Sequence, residues 1–132
     1  MRRFPLVPSR FAPAIVAAIL AVGACGDEGP VSGPGTLTAV VSSPNGAEGA
    51  AVVTLIGEGV GAVTALDGWL FEERIADGVR VMVVSDQAGP LRFQVALADT
   101  TQRPVGTVEE VAGPDDVLRS LTTARYTVEF IR

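Results

Sequence analysis

The clearest structural signal in the sequence is the stretch Leu91-Arg92-Phe93-Gln94-Val95-Ala96-Leu97. In this stretch every second residue is large and apolar, and Arg92, Gln94 and Ala96 lie between them. Because successive side chains of a β-strand point to opposite faces, this alternation predicts a strand with one face in a core and the other towards solvent. The chain is therefore expected to contain at least one half-buried β-sheet.

Similar segments recur along the chain as short apolar runs, rich in β-branched residues and separated by Gly, Pro, Asn or Asp. Such runs are typical of strands joined by turns. They predict an all-β fold, a two-sheet antiparallel sandwich of about 7–9 short strands in a Greek-key-like order. The predicted strands cover residues 36–43, 50–56, 62–66, 69–75, 79–85, 91–98, 105–111 and 125–131.

Three connections between these strands have recognisable sequences. Asp77-Gly78 predicts a tight hairpin turn with positive φ, and Pro44-Asn45-Gly46 predicts a reversal of the chain. Residues 113–121 carry proline and two acids near their start, as helix N-termini often do. We expect about one or two helical turns there, crossing from one sheet to the other.

The first 24 residues have the three parts of an export signal. Their start contains three arginines, an apolar run covers residues 11–22, and the small residues Gly23 and Ala24 follow. From residue 11 to Ala24 the run has 14 residues, whereas a membrane-spanning helix needs about 20. We therefore predict a helical signal segment over residues 1–24 that is removed, and not a permanent span.

Cys25 is the one cysteine of the chain and follows this segment directly. Val22-Gly23-Ala24-Cys25 resembles the lipobox of bacterial lipoproteins, an aliphatic residue and two small residues before a cysteine, although leucine is the commoner first residue. The resemblance implies cleavage before Cys25 and a diacylglycerol-type lipid on its sulfur, with no other cofactor. Two or more acyl chains anchor a protein stably, whereas a single chain binds a bilayer reversibly.

The same resemblance implies a cellular place, the bacterial cell envelope, with the domain outside the cytoplasm. Gly26 follows Cys25, whereas an aspartate at this position marks retention in the inner membrane in that family. The outer membrane is therefore favoured where two membranes are present.

Residues 25–35 are rich in Gly and Pro and are expected to form a flexible tether, which leaves residues 36–132 as the sandwich domain. Without residues 1–24 the chain keeps 7 of its 10 arginines and all 15 acidic residues, a net charge of −8. Such a charge repels nucleic acid and anionic headgroups. We predict no nucleic-acid partner and membrane contact through the lipid anchor.

The composition narrows the available chemistry. The chain has no histidine and no lysine, so the usual general base near neutral pH, the usual zinc ligand and a Schiff-base amine are all missing. With Cys25 assigned to lipid, no thiol nucleophile remains. We predict that the protein is not an enzyme and has no catalytic residues.

Acidic residues are the remaining candidates for a site. Calcium takes about six to eight oxygen ligands, so loop acids would bind it if several converged. No spacing among them matches a calcium-binding loop, so no metal site is predicted and calcium stays an alternative. The candidate ligands are Asp77, Asp86, Asp99, Asp115 and Asp116.

Within residues 36–132, three pairs of adjacent acids could suggest a hydrolase, because glycoside hydrolases place two carboxylates across one bond. Neighbouring strand residues point to opposite faces, so neither Glu72-Glu73 nor Glu109-Glu110 should act together. We expect these acids, with Asp115-Asp116, to be solvated, and a carboxylate-based hydrolase is the third alternative.

Trp69 could form a stacking platform for a sugar ring. However, Trp69, Phe71 and Ile75 share one face of their predicted strand. A shared apolar face favours burial, so we expect these side chains in the core.

The globular part resembles the cohesin and carbohydrate-binding-module group of β-sandwiches. The likeness lies in its short strands, in the Gly89-Pro90 step before the alternating strand and in its aromatic last strand. It implies a fold and carries over no binding residue. We expect a structural or protein-binding (adaptor) module with an exposed apolar patch or an open strand edge. The alternative is a carbohydrate- or calcium-binding module, with Trp69 exposed or loop acids close together.

Overall fold

The strands of the computed structural model agree with the predicted ones. The structure describes residues 31–87, 89–121 and 125–132, so Cys25 and the predicted helical signal segment lie outside the described residues. Each strand boundary falls within about two residues of its predicted position, the usual uncertainty of such boundaries. The strands are β1 (Gly35–Ser42), β2 (Ala50–Ile56), β3 (Val60–Ala65), β4 (Trp69–Ile75), β5 (Gly78–Val84), β6 (Leu91–Leu97), β7 (Val105–Ala112) and β8 (Thr127–Ile131).

The eight strands form two antiparallel sheets of four strands each. The first sheet has the order β3-β6-β1-β8, and the second has the order β4-β5-β2-β7. Among the described strands, β4 and β5 alone are consecutive neighbours in one sheet, and every other connection passes between the sheets. The predicted all-β, sandwich-like architecture is confirmed.

The core lies between the two sheets and takes every second residue of the central strands. In β6, Leu91, Phe93, Val95 and Leu97 are all buried, whereas Arg92 is exposed. The alternation that predicted this strand is therefore confirmed. The other buried apolar residues are Leu37, Ala39, Val41, Ala51, Val53, Leu55, Val79, Val81, Val83, Val111 and Phe130.

The hairpin between β4 and β5 lies where it was predicted, but its turn differs. Ile75 pairs with Gly78, so Ala76 and Asp77 form the turn, and neither Asp77 nor Gly78 has a positive φ. Gly78 is needed for another reason. A Cβ at this position would collide with the backbone of Leu55 on β2, so the glycine allows two neighbouring strands to approach closely.

Residues 113–121 form no helical turn, so this prediction was wrong. Asp116 has a φ of 61°, in the left-handed region that a right-handed helix cannot continue through. The chain instead folds back on β7, where Leu118 bridges Ala112 and the Arg119 amide donates to the Val111 carbonyl at 2.8 Å. The connection still crosses from the second sheet to the first, as predicted.

The sandwich has two distinct ends. At one, which we call the tether end, Val31 and Gly33 contact the β6–β7 loop: the Thr100 hydroxyl donates to the Val31 carbonyl at 3.0 Å and the Thr100 amide to the Gly33 carbonyl at 2.9 Å. β1 starts there and runs to the far end, where β2 begins beside the end of β5 and the start of β4. The eight residues of β1 separate the two ends by about 23 Å.

Candidate functional site

The outer face of the second sheet carries four rows of side chains, because residues directly opposite one another in paired strands share a face. Counted from the far end, the first row is Trp69, Val84, Ala50 and Ala112, and the second is Phe71, Met82, Val52 and Glu110. The third is Glu73, Arg80, Thr54 and Thr107, and the fourth is Ile75, Gly78, Ile56 and Val105.

The first two rows are almost entirely apolar and open to solvent. Trp69 is 59% exposed, Phe71 58% and Met82 42%. Leu118 extends the first row beyond Ala112, to which it is bridged. We call this surface the apolar half-face; its members are Trp69, Val84, Ala50, Ala112, Phe71, Met82, Val52, Glu110 and Leu118.

The prediction that Trp69, Phe71 and Ile75 pack in the core was therefore wrong. They do share a face, but it is the outer one, because β5 sets the orientation of β4: Leu70 lies opposite the buried Val83 and faces inward. Arg74, on the same inward side, donates to the Val60 and Gly61 carbonyls of β3 at 3.0 and 2.5 Å. An arginine at this sheet edge closes the side of the sandwich with backbone contacts.

A polar row separates the apolar half-face from the tether end. The Thr54 hydroxyl donates to Glu109 Oε1 at 2.6 Å, and Arg80 Nε donates to Glu109 Oε2 at 3.1 Å. Arg80 Nη1 lies 3.5 Å from Glu73 Oε2. Arg80 thus partly neutralises two carboxylates, Glu73 of this row and the adjacent Glu109.

Glu109 and Glu110 lie on the same face, although adjacent strand residues were expected to diverge. The register of β7 against β2 shifts between Val52, opposite Glu110, and Val53, opposite Val108. Glu109 is the extra residue of this β-bulge, and a bulge breaks the alternation of side chains. Both glutamates are exposed on an edge strand, as predicted.

Glu110 differs from Glu109 in having no partner among the residues that the structure describes. Among the described residues, no hydrogen-bonding side chain or arginine contacts its carboxylate within an ion-pair distance. It borders a shallow hollow of about 190 Å³, whose other outward-facing walls are Ala50, Val52, Met82, Ala112 and Leu118. A carboxylate with no partner in the described part of the chain thus lies at the rim of an apolar depression.

The five candidate calcium ligands lie at opposite ends of the sandwich. Asp77 and Asp99 are in loops of the tether end, whereas Asp86, Asp115 and Asp116 are at the far end. In the described part of the chain, no three acidic or cysteine side chains are close enough to hold a metal ion.

Asp99 already has a structural task in the β6–β7 loop. Its Oδ1 accepts hydrogen bonds from the Thr101 amide at 2.9 Å, the Thr101 hydroxyl at 2.7 Å and the Gly33 amide at 3.2 Å. These bonds, the one from the Thr101 amide first, lower the pKa of Asp99. The carboxylate therefore fastens the residues before β1 to the domain.

A buried carboxylate, Glu48, was not singled out by the sequence. Its Oε1 accepts from the Ser43 hydroxyl at 2.7 Å and the Tyr126 hydroxyl at 3.0 Å, and its Oε2 accepts from Arg119 Nε at 3.1 Å. Ser43 lies in the β1–β2 loop with Glu48, but Arg119 and Tyr126 lie in the β7–β8 connection, 71 and 78 residues further along the chain, so no local spacing could have revealed the whole cluster. The side chain accepts three hydrogen bonds and joins two loops at the far end.

Known proteins offer no guide to this surface. No protein-family model matches the chain, no curated protein is detectably similar to it, and no solved structure matches its fold. The described part of the chain contains no helix that is long and apolar enough to cross a membrane.

Proposed function

We propose that this protein is a lipid-anchored protein of the bacterial envelope whose sandwich binds a protein partner through the apolar half-face. The exposure of Trp69, Phe71 and Met82 side by side supports this function most directly. The largest apolar patch on the surface of a soluble domain is often functional and marks an interaction site. Aromatic and methionine side chains are also enriched at protein interfaces.

The other sheet provides an internal comparison. On its outer face, Thr64, Gln94 and Thr38 share one row with Ile131. The neighbouring row contains Arg92, Val40 and Glu129. Two faces of one small domain thus differ in polarity, which favours a specific role for the second sheet over a generally apolar surface.

The anchor is proposed from the sequence Val22-Gly23-Ala24-Cys25. A fully extended chain from Cys25 to Val31 reaches at most about 20 Å, so the tether end would stay near the bilayer. The apolar half-face belongs to the far end, and the anchored domain would present it to a partner beyond the membrane surface.

A carbohydrate-binding module is the second candidate, because exposed Trp69 and Phe71 could stack against sugar rings. Sugar hydroxyls lose water on binding and need hydrogen-bond partners in exchange. In the two apolar rows, Glu110 is the one side chain that can accept such bonds. The surface therefore fits a protein better than a sugar.

The anchor is tested by metabolic labelling with a radioactive fatty acid in a bacterial host. We expect label in the wild type and none in Cys25→Ala, together with a mature N-terminus at Cys25 by mass spectrometry. Equal labelling of both proteins, or an N-terminus at Met1, would contradict the anchor.

The docking function is tested by affinity capture from envelope extracts with the full-length protein, its Phe71→Ser variant and the control Thr64→Ser on the other sheet. We expect a partner that the wild type and the control retain and that Phe71→Ser loses. Equal capture by all three proteins, or no capture by any, would reject the apolar half-face as a protein-docking site. Binding of soluble oligosaccharides that Phe71→Ser abolishes would favour the carbohydrate alternative.

A further inference from the structure

We infer that the partner segment received by the apolar half-face carries a lysine or arginine flanked by apolar side chains, with its cation placed at Glu110. This inference rests on the proposed docking function and specifies the chemistry of the occupant. It follows from the charge of the surface, its size and its position on the sandwich.

Among the described residues, Glu110 is the one charged side chain of the apolar half-face, and it has no ion-pair partner. Arg80 lies between Glu73 and Glu109 in the polar row, so these acids are already neutralised in part. Glu110 has no cation in the described residues, yet it borders the hollow beside Met82. Covering this carboxylate with an uncharged partner would remove its water without replacing it, which is costly.

A lysine or arginine satisfies both parts of this site. Its aliphatic stem can lie along apolar side chains such as Met82 and Leu118, while its charged end reaches a carboxylate at the rim. Trp69 and Phe71 lie on the opposite edge strand of this sheet, three strand spacings or about 14 Å from Glu110, so their rings are available to the apolar residues of the partner and not to its cation. The flanking apolar residues of the partner would cover the remainder of the half-face.

The area of the half-face argues against a second copy of this chain. Two rows across four strands cover on the order of 300 Å², whereas a stable interface buries about 800 Å² on each partner. A second copy would also bring the same unpaired Glu110 and no free cation from its own half-face. A short segment of another protein fits this area.

The bilayer is also a poor occupant. With a net charge of −8 after removal of residues 1–24, the domain is repelled by anionic headgroups. Glu110 within the apolar rows would have to enter the headgroup region unpaired. A basic and apolar peptide segment has the opposite charge and the matching polarity.

A displayed library of random peptides tests the inference and does not require the natural partner. The bait is the full chain as bacteria process it, held in a lipid nanodisc if it carries the anchor and in buffer if it does not. We expect recovered peptides to contain lysine or arginine next to aliphatic or aromatic residues, well above their frequency in the library. Trp69 is the single tryptophan of the chain, so its fluorescence reports binding of each peptide.

Glu110→Gln and Glu129→Gln form a matched pair, since both glutamates lie on the outward face of an edge strand. We expect Glu110→Gln to lower the affinity for the selected peptides about tenfold, the effect of losing one charged hydrogen bond. Glu129→Gln should leave this affinity unchanged. Added salt should weaken binding to the wild type in the same direction.

The outcomes separate the inference from the function on which it rests. Peptides that need Phe71 but show no basic excess, or that bind Glu110→Gln as well as the wild type, overturn the inference and leave the docking function standing. Peptides that bind Phe71→Ser equally well, or a selection that recovers none, overturn both.

Discussion

The carboxylate of Glu48 and the guanidinium of Arg119 form an ion pair in which Oε2 and Nε are 3.1 Å apart and the Glu48 side chain is only 2% exposed. Glu48 lies in the loop between β1 and β2, and Arg119 in the connection between β7 and β8. The pair therefore joins two loops at the far end, one of which carries Leu118 of the apolar half-face. The stability of this ion pair therefore affects the position of Leu118 in the apolar half-face.

Glu48→Gln should destabilise the fold. The amide removes the negative charge that Arg119 faces and leaves fewer acceptors for the surrounding donors. We expect a loss of about 1–2 kcal/mol in the free energy of unfolding, measured by urea denaturation at pH 7. Glu58→Gln, in the exposed β2–β3 turn, is the control and should leave the midpoint unchanged. Equal midpoints for Glu48→Gln and the wild type would show that the pair contributes nothing.

The same residue should make stability depend on pH. Burial acts to raise the pKa of Glu48, but the hydrogen bonds from Ser43, Arg119 and Tyr126, with the charge of Arg119, outweigh it and bring the pKa below its ordinary value of 4.5. The unfolded chain then binds the proton more tightly than the folded one. The stabilisation is present in full above about pH 4.5 and is lost as pH falls through the folded-state pKa.

Urea denaturation of the wild type and Glu48→Gln at a series of pH values measures this dependence. The difference between their unfolding free energies should be largest near neutral pH and should shrink below about pH 4.5. Asp99, whose pKa is also lowered, acts in the same direction in both proteins and cancels in the difference. A difference that stays constant down to pH 3 would contradict the assignment.

Gly78→Ala should destabilise the second sheet. A Cβ there would meet the backbone of Leu55 and Ile56, which cannot move without disturbing the β2–β5 ladder. We expect a loss of about 2–3 kcal/mol in urea denaturation, typical of overpacking against a fixed neighbour. Gly46→Ala is the comparison: it has open space and a φ of 86°, so it should lose about 1 kcal/mol from backbone strain alone. A smaller loss at Gly78 than at Gly46 would argue against close strand approach.

The sequence allowed the strands and the central core to be predicted because their signals are local. Leu91, Phe93, Val95 and Leu97 alternate with residues of lower hydrophobicity, and a period of two has one structural interpretation. Turn residues such as Pro44-Asn45-Gly46 gave the boundaries in the same way, and Gly46 does have a positive φ. Strand positions could therefore be obtained before the pairing of the strands was established.

The predictions that were wrong concern features that depend on how the strands pair. β4 has apolar side chains on both faces, with Trp69 and Phe71 on one and Leu70 on the other, and only its register against β5 selects the inward face. The bulge that brings Glu109 and Glu110 to one face depends on β2. Met82, by contrast, could have been placed, because the alternating valines of β5 leave it on the outer face.

The outward orientation of β4 predicts that its aromatic residues contribute little to stability. Phe71 is 58% exposed, whereas Phe93 is fully buried at the centre of the core. We expect Phe71→Ala to change the free energy of unfolding by less than about 1 kcal/mol and Phe93→Ala to lower it by about 3–5 kcal/mol in urea denaturation.

Trp69 gives an independent measurement of the same orientation. As the single tryptophan of the chain, it should be quenched by acrylamide in the folded protein almost as efficiently as in the urea-unfolded protein, because a small polar quencher reaches an exposed indole directly. Phe71→Ala removes a neighbour on the same face and should leave the ratio of acrylamide quenching in the folded protein to that in the unfolded protein nearly unchanged. Strong protection from the quencher in the folded wild type, together with a loss at Phe71→Ala as large as at Phe93→Ala, would place this face of β4 in a core and remove the basis for the apolar half-face.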